Sequence, residues 1–457
     1  MTNLNNWAGP VVLNGAARFE GSVAASDTYT GEISGPGRLL KTGNDSGITY
    51  LRNTNNSWTG GTVISNGTLY AVAPGALPNY ATAVEVVNAG CLALCVADAA
   101  GTRPGFTLTE INDLINNGTT FAGPKTSIGF DTAYEDLDYT LDLPHLGVRK
   151  LGPNTLTLSG GGANLGPIRV YGGTLDLSPV SRYLDDQSVI VGESTSTSDP
   201  LATLVVGGAT RIETLDRGYN VVGQPLVAIG NNGRGVMRIE DDGFISGRLL
   251  VGNGTLGVGA VYQTGGVMHN TGGSSNDGRI GNAGYGYYLL ADGVLTNNGY
   301  TQIGCGLTSY GILEQTGGVS VFNATYGGTI GISRGGVGVA HVSGGLVDNK
   351  TSLKIGDESE NNTSAGVAIM TVSGSAVVTN NGAINLGNRD NMTAMLNLNG
   401  GETTAKRIWR ANRSNTDALV NWNGGLLRAL NPDTAELFNG DAGRYPDVTV
   451  FENGAIV

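Results

Sequence analysis

Across residues 230–430, apolar and polar side chains alternate in short runs such as Gly338-Val339-Ala340-His341-Val342-Ser343 and Ala368-Ile369-Met370-Thr371-Val372. A period of two marks a strand with one face buried and one face exposed. The runs are punctuated on a regular schedule. A Gly pair or its equivalent recurs at Asp242-Gly243, Gly265-Gly266, Asp292-Gly293, Gly317-Gly318, Gly344-Gly345, Gly374-Ser375, Gly400-Gly401 and Gly424-Gly425. Counted on the second residue, the steps are 23, 27, 25, 27, 30, 26 and 24, a mean of 26. An aliphatic residue followed by Gly keeps phase with it, at Val251-Gly252, Ile280-Gly281, Ile303-Gly304, Ile330-Gly331, Ile355-Gly356 and Leu386-Gly387; Ile408-Trp409 takes that slot in the next copy.

Two or three short strands fit in 26 residues, joined by turns whose positive φ suits Gly and Asn. Nothing of helix length is available to connect parallel strands through a βαβ crossover. The remaining route is to coil the chain so that each copy makes one rung on top of the last, which predicts an all-β, parallel β-helix. A third mark runs with the rungs: Asn270, Asn297, Asn323, Asn349 and Asn380 follow the Gly pair by four or five residues. Equal placement on successive rungs brings their amides about 4.8 Å apart, within reach of a hydrogen-bonded ladder. The alternative is that each Asn serves only its own turn. Both roles are structural.

The first half is less regular. Gly172-Gly173 and Gly207-Gly208 continue the Gly marks upstream at steps of 35, so those rungs carry longer loops. Residues 98–145 break the pattern. Thr107-Leu108-Thr109-Glu110 is a capping box, Leu108, Ile111, Leu114 and Ile115 follow at helical spacing, and Gly118 suits a C-terminal stop. One short helix is therefore predicted over 108–116. Glu135, Asp136, Asp138 and Asp142 alternate with apolar residues, as in a strand with an acidic outer face. The chain thus reads as rungs over 1–97, an irregular insertion over 98–145, and regular rungs over 146–457, in one continuous solenoid.

Composition sharpens this picture. Of 457 residues 75 are Gly, only 14 are Pro, and charged residues make up 14%. Collagen is excluded because the Gly has no strict triplet period, and long helices because Gly interrupts every window. An apolar content of 40% argues against disorder. The net charge of −12 disfavours nucleic acid as a partner. No stretch of about 20 apolar residues predicts a membrane helix, and MTNLNNWAGP shows no secretory signal. Cys91 and Cys95, four apart on one strand, stand about 13 Å apart and cannot bridge. They and Cys305 read as buried small hydrophobes. His145, His269 and His341 share no metal-binding spacing, so neither a metal nor a cofactor is expected.

Two segments carry a more specific pattern. The first runs Gly35-Pro36-Gly37-Arg38-Leu39-Leu40-Lys41-Thr42-Gly43, then Asn56-Ser57-Trp58-Thr59-Gly60-Gly61-Thr62-Val63-Ile64, then Gly67-Thr68-Leu69. The second runs Gly147-Val148-Arg149-Lys150-Leu151-Gly152, then Asn154 to Gly160, then Gly172-Gly173-Thr174-Leu175. The Lys-x-Gly marks are 109 residues apart. This pattern resembles the autotransporter-associated β-strand repeat, also called the passenger-associated transport repeat. The first copy matches nearly throughout; the second has Ala163-Asn164-Leu165-Gly166-Pro167 in place of the aromatic-Thr-Gly-Gly-Thr core. The resemblance implies a right-handed β-helix exported to the surface of a Gram-negative bacterium or into the medium, acting as an adhesin, a matrix-like surface protein or a display scaffold. It does not imply an enzyme. The chain stops inside a strand–turn phrase at Val457, as expected of a fragment of a longer passenger.

Chemistry is sparse. Solenoids of this type also host polysaccharide lyases and glycoside hydrolases, which need clustered carboxylates. The candidates are Asp185-Asp186, Glu240-Asp241-Asp242 and Asp357-Glu358-Glu360. Glu240 and Asp242 are expected on one strand face, about 7 Å apart. The competing reading is solvated acids at turns. For ligand binding the candidates are aromatic: Tyr285, Tyr287, Tyr300 and Tyr310, beside Tyr288 and Tyr326, and Trp409 among Arg407, Arg410 and Arg413. Their rings either stack on sugars or cover seams between rungs. Three functions follow: a non-enzymatic surface adhesin or scaffold whose partners are glycans or surface proteins, a secreted polysaccharide-degrading enzyme, and a filament or sheath subunit that self-associates end to end.

Overall fold

The computed structural model describes residues 5–21, 26–44, 47–78, 80–123, 125–143, 146–160, 166–181, 183–185, 188–193, 200–213, 226–271, 277–323, 330–357, 365–411, 413–430 and 436–456. These residues form a β-solenoid in which the paired strands run parallel, with one short helix. The chain divides into two compact units, residues 1–187 with 200–202, and residues 188–199 with 203–457.

In the second unit the alternation becomes three columns of stacked strands. On face 1, Arg234↔Val258↔Tyr285↔Tyr310↔Val337↔Val367↔Thr393↔Asp417 stand in register, 24 to 30 residues apart. Face 2 follows the Gly turn and carries Phe244↔Val267↔Val294↔Val319↔Leu346↔Val377↔Glu402. Face 3 carries Ala228↔Leu250↔Arg279↔Gln302↔Gly331↔Lys354↔Asn385↔Trp409. Alternate side chains point inward. On face 1 Met237, Val261, Tyr288, Leu313, Ala340, Met370, Leu396 and Val420 form one buried column. The aliphatic-Gly mark slips at one rung. Ile332, not Ile330, aligns with Ile303 and Ile355, and Ser333 adopts the left-handed turn at φ 56° where neighbouring rungs use Gly.

In the first unit the rungs are less uniform, and the resembled repeat acquires physical content. Trp58 is fully buried, with its Nε1 donating to Thr62 Oγ1 at 3.2 Å. Asn56 Oδ1 accepts from the Ile33 amide, and its Nδ2 donates to Ala76 O. The two repeat lysines point into the core. Lys41 is stacked between Phe19 and Ile64, and Lys150 between Phe130 and Val170. Lys41 Nζ donates to Thr42 O at 2.7 Å. Lys150 Nζ donates to Leu151 O, Gly152 O and Gly172 O at 2.6, 2.9 and 3.0 Å. A Cβ on Gly67 or Gly173 would lie 2.9 or 2.7 Å from the corresponding Nζ. The Gly of each Gly-Thr-Leu is thus the seat of its lysine.

The insertion is narrower than the sequence suggests. Thr119–Ala122 pairs with Val84, Glu85, Val86 and Val87, and Ser127–Asp131 lies in register between Cys91–Cys95 and Gly147–Leu151. The helix runs Leu108–Asp113 and continues as a π-helical turn over Leu114–Gly118. Its capping box forms: the Thr107 amide donates to Glu110 Oε2 at 2.8 Å, and the Glu110 amide to Thr107 Oγ1 at 3.3 Å. Gly118 is not a left-handed stop. It is required because the Ala81 backbone passes 2.8 Å from where its Cβ would sit. Cys91 and Cys95 are buried, whereas Cys305 is partly buried and donates to Gln302 Oε1.

Candidate functional site

The turn after face 3 carries an amide ladder that the marked Asn positions did not include. Asn253 Nδ2 donates to Asn231 Oδ1, and Asn282 Nδ2 to Asn253 Oδ1, each at 2.7 Å. The signal was the Asn after each aliphatic-Gly mark, in Gly230-Asn231, Gly252-Asn253 and Gly281-Asn282. Stacked amides suit this position because each has both a donor and an acceptor. The next three rungs abandon it for Cys305, Arg334 and Asp357. The face changes character there. Arg279, whose Nη1 ends the ladder on Asn282 Oδ1 at 2.8 Å, also lies 3.8 Å from Asp277 Oδ2. Arg334 lies 3.6 Å from the same oxygen, and Gln302 Nε2 donates to it at 2.8 Å. Arg248 Nε donates to the Asp277 carbonyl at 3.2 Å. One rung on, Lys354 Nζ is 3.1 Å from Asp357 Oδ1, and Tyr300 Oη donates to Asp357 Oδ2. This last pair meets across Gly331, where a Cβ would lie 2.8 Å from both groups.

The arrangement is layered by charge. The side chains of Arg279, Arg334 and Lys354 are 25, 32 and 26% exposed, while those of Asp277 and Asp357 are 13 and 2% exposed. Burial raises the Asp277 carboxyl pKa, against the pull of Arg279, Arg334 and Arg248. Burial lowers Arg248, with Arg279 adding to the effect. The Cys305 thiol is pushed up by burial. The carboxylates therefore sit beneath and the cationic groups are presented to solvent, on a chain of net charge −12.

The residues singled out in the sequence are dispersed. Asn270, Asn297, Asn349 and Asn380 stand in one buried column on face 2. Asn270 Nδ2 donates to Asn297 Oδ1 at 3.0 Å, and Asn349 Nδ2 to Asn380 Oδ1 at 2.5 Å. Asn323 is not in the column. Phe322 takes its place because Val294 pairs with Val319, which leaves Asn323 one residue outside the strand. The phenyl ring splits the ladder, and the two amide atoms facing the gap, Asn297 Nδ2 and Asn349 Oδ1, have no hydrogen-bond partner.

Tyr285 and Tyr310 stack on each other across neighbouring rungs, with centroids 4.9 Å apart and planes 4° apart. Tyr287 Oη donates to Glu314 Oε2 at 2.7 Å, and Tyr288 is fully buried with its Oη on Gln263 Oε1. Tyr300 belongs to the cation face, and Tyr326 lies outside the described residues. Trp409 stands on face 3 between Asn385 and Asn439, with the Arg407 guanidinium 6.0 Å from its ring. Glu240 and Asp242 do not share a strand face. The strand ends at Ile239, and the next residues form a turn closed by the Gly243 amide on Glu240 O, with Asp241 left-handed at φ 50°. Asp185 ends the strand Tyr183–Asp185; Asp186, Glu358, Glu360 and His145 lie outside the described residues. Among the described residues no group of three His, Cys, Asp or Glu side chains is placed to hold a metal, and no helix is long and apolar enough to cross a membrane. No family model, no curated protein and no solved structure matches the chain.

Proposed function

We propose that this chain is a non-enzymatic β-solenoid of the bacterial surface, an adhesin or scaffold that holds acidic polysaccharide against face 3 of its second unit. One observation carries the reading: Arg279, Arg334 and Lys354 are presented on the first, third and fourth of four successive rungs while their counter-carboxylates are sunk beneath them. Rungs about 4.8 Å apart make this an extended row of charge, suited to a polyanion rather than a single small anion. The resemblance of residues 35–69 and 147–175 to an exported passenger repeat supports the surface location.

The test is binding of the full chain to polygalacturonate and dextran sulfate, with neutral dextran as control. Binding to both polyanions is expected, weakening steeply between 50 and 500 mM salt as screening demands. Arg334→Gln with Lys354→Gln is expected to weaken it about tenfold or more, roughly the value of one or two charge-assisted contacts. Equal affinity for neutral dextran, or an unaffected double variant, rejects the reading. Release of reducing ends from either polymer would move the chain to the degrading enzymes.

A further inference from the structure

The outward side of face 1 is unusually apolar for a solvated strand column. Its middle outward position is apolar on every rung from Val236 to Leu419. Its first outward position is apolar over Val258, Tyr285, Tyr310, Val337 and Val367. Exposure is 47% at Val258, 55% at Tyr285, 45% at Tyr310, 41% at Ile312 and 36% at Val367. Eight strands about 4.8 Å apart, each of six residues rising about 3.3 Å, span roughly 35 by 20 Å, or about 700 Å². Fifteen of the 24 outward positions are apolar, about 440 Å² that runs unbroken through the middle column, a size at which a surface patch is often functional. A stable interface buries about 800 Å² per partner, which the whole face approaches.

The charges at the ends of the strip say what covers it. Its first rung carries Arg234 and Arg238, and its eighth carries Asp417 at the position of Arg234. At the third outward position Glu314 and His341 occupy the fourth and fifth rungs, next to the centre. A twofold axis along the strands, between the Tyr310 and Val337 rungs, turns the strip end for end. Arg234 then meets Asp417 of the other copy, Tyr310 meets Val337, and Glu314 meets His341. A twofold along the solenoid axis would instead set the two arginines of the first rung against each other. We propose that the second unit dimerises through face 1 with a second copy of this chain, the two solenoid axes antiparallel, in an isologous contact.

Sedimentation equilibrium on the full chain tests this, the monomer being 46.8 kDa. Twice that mass is expected at micromolar concentration. Ile312→Asp with Ile369→Asp is expected to give monomer with unchanged far-ultraviolet circular dichroism, since both side chains point outward. Arg234→Asp and Asp417→Arg are each expected to weaken the dimer about tenfold, and the double swap to restore it, because the two residues face each other only in the antiparallel arrangement. A persistent monomer, a dimer indifferent to the two aspartates, or a double swap no better than the single ones overturns the proposal. The first of these results would leave face 1 to a different partner.

Discussion

In the first unit the polar groups buried inside the coil include ammonium ions; in the second they include columns of amides. Lys41 and Lys150 each occupy a single rung and are flanked above and below by apolar neighbours, Phe19 and Ile64 in one case and Phe130 and Val170 in the other. An ammonium only donates, so a second lysine stacked on the first would add repulsion and no bond. Each lysine therefore needs its own carbonyl oxygens and its own Gly, and the motif cannot repeat on the next rung. An amide donates and accepts, so Asn can stack on Asn from rung to rung: Asn231, Asn253 and Asn282 do so in one turn, and on the outward side of face 1 Asn397 Nδ2 donates to Thr371 Oγ1 while Asn397 Oδ1 accepts from Asn421 Nδ2. The strong period of the second unit and the weak one of the first follow from this difference in hydrogen-bonding valence.

The comparison is broken most severely by filling a lysine seat. A Cβ at Gly173 meets Asn154 O at 2.3 Å and Lys150 Nζ at 2.7 Å, and the residue sits at φ +65°. Two of these obstacles are backbone properties that cannot move aside. Gly173→Ala is expected to cost about 3 kcal/mol or more, from strain and overpacking together. Urea unfolding followed by circular dichroism measures it, and a loss below about 1 kcal/mol would mean that the lysine seat is not a constraint.

The amide column is tested next. Asn297 Oδ1 accepts from Asn270 Nδ2 and from the Gly299 amide, both at 3.0 Å. Asn297→Leu leaves these two donors unpaired in the core, at an expected cost of about 2 kcal/mol. Asn323→Leu, one residue outside the column, is expected to cost less than about 0.5 kcal/mol. The same denaturation experiment compares them, and equal losses would show that the column adds nothing beyond ordinary turn chemistry.

The sequence made the rungs legible because the Gly pair after face 1 ends immediately before the first residue of face 2 on nearly every rung, so its spacing gives the register directly. It misplaced single residues where two readings were locally equivalent. Ile330-Gly331-Ile332-Ser333 offers an aliphatic-Gly mark two residues early, and only pairing with Ile303 and Ile355 decides for Ile332. Asn323 keeps the spacing of a ladder member, five residues after its Gly pair, but the strand register puts Phe322 in the column. The cation face was not legible as a unit: Tyr300 and Asp357 stand out singly, one as a ring and one as a carboxylate, but nothing in the sequence joins them to each other or to Arg334 and Lys354. Asp277, Arg334 and Asp357 are brought together by rungs of unequal length, and none of their local sequences differs from an ordinary turn. Tyr285 and Tyr310 stand out in the sequence as rings that either bind a ligand or cover a seam, but that each stacks on the other depends on a register of 25 residues between them.

The smallest effect separates the two chemistries by pH. Burial lowers the pKa of Lys41 and Lys150 from 10.5 to about 8. Between these values the unfolded chain still binds protons that the folded chain has released, so stability rises with pH across that window. From pH 8 to pH 9 the gain is about 1 kcal/mol per lysine. The buried amides carry no proton to exchange and contribute nothing. Above pH 10 the sign reverses: burial raises Tyr70 and Tyr288 above their usual value, so the unfolded chain ionises first and stability falls. Urea midpoints at pH 8, 8.5 and 9 are therefore expected to climb in the native chain. Lys41→Met with Lys150→Met is expected to abolish the climb, uncovering the shallow fall that the buried thiols of Cys95 and Cys305 impose because they ionise first in the unfolded chain, while leaving the fall above pH 10 in place. A climb that survives the double substitution would show that the lysines are not its source.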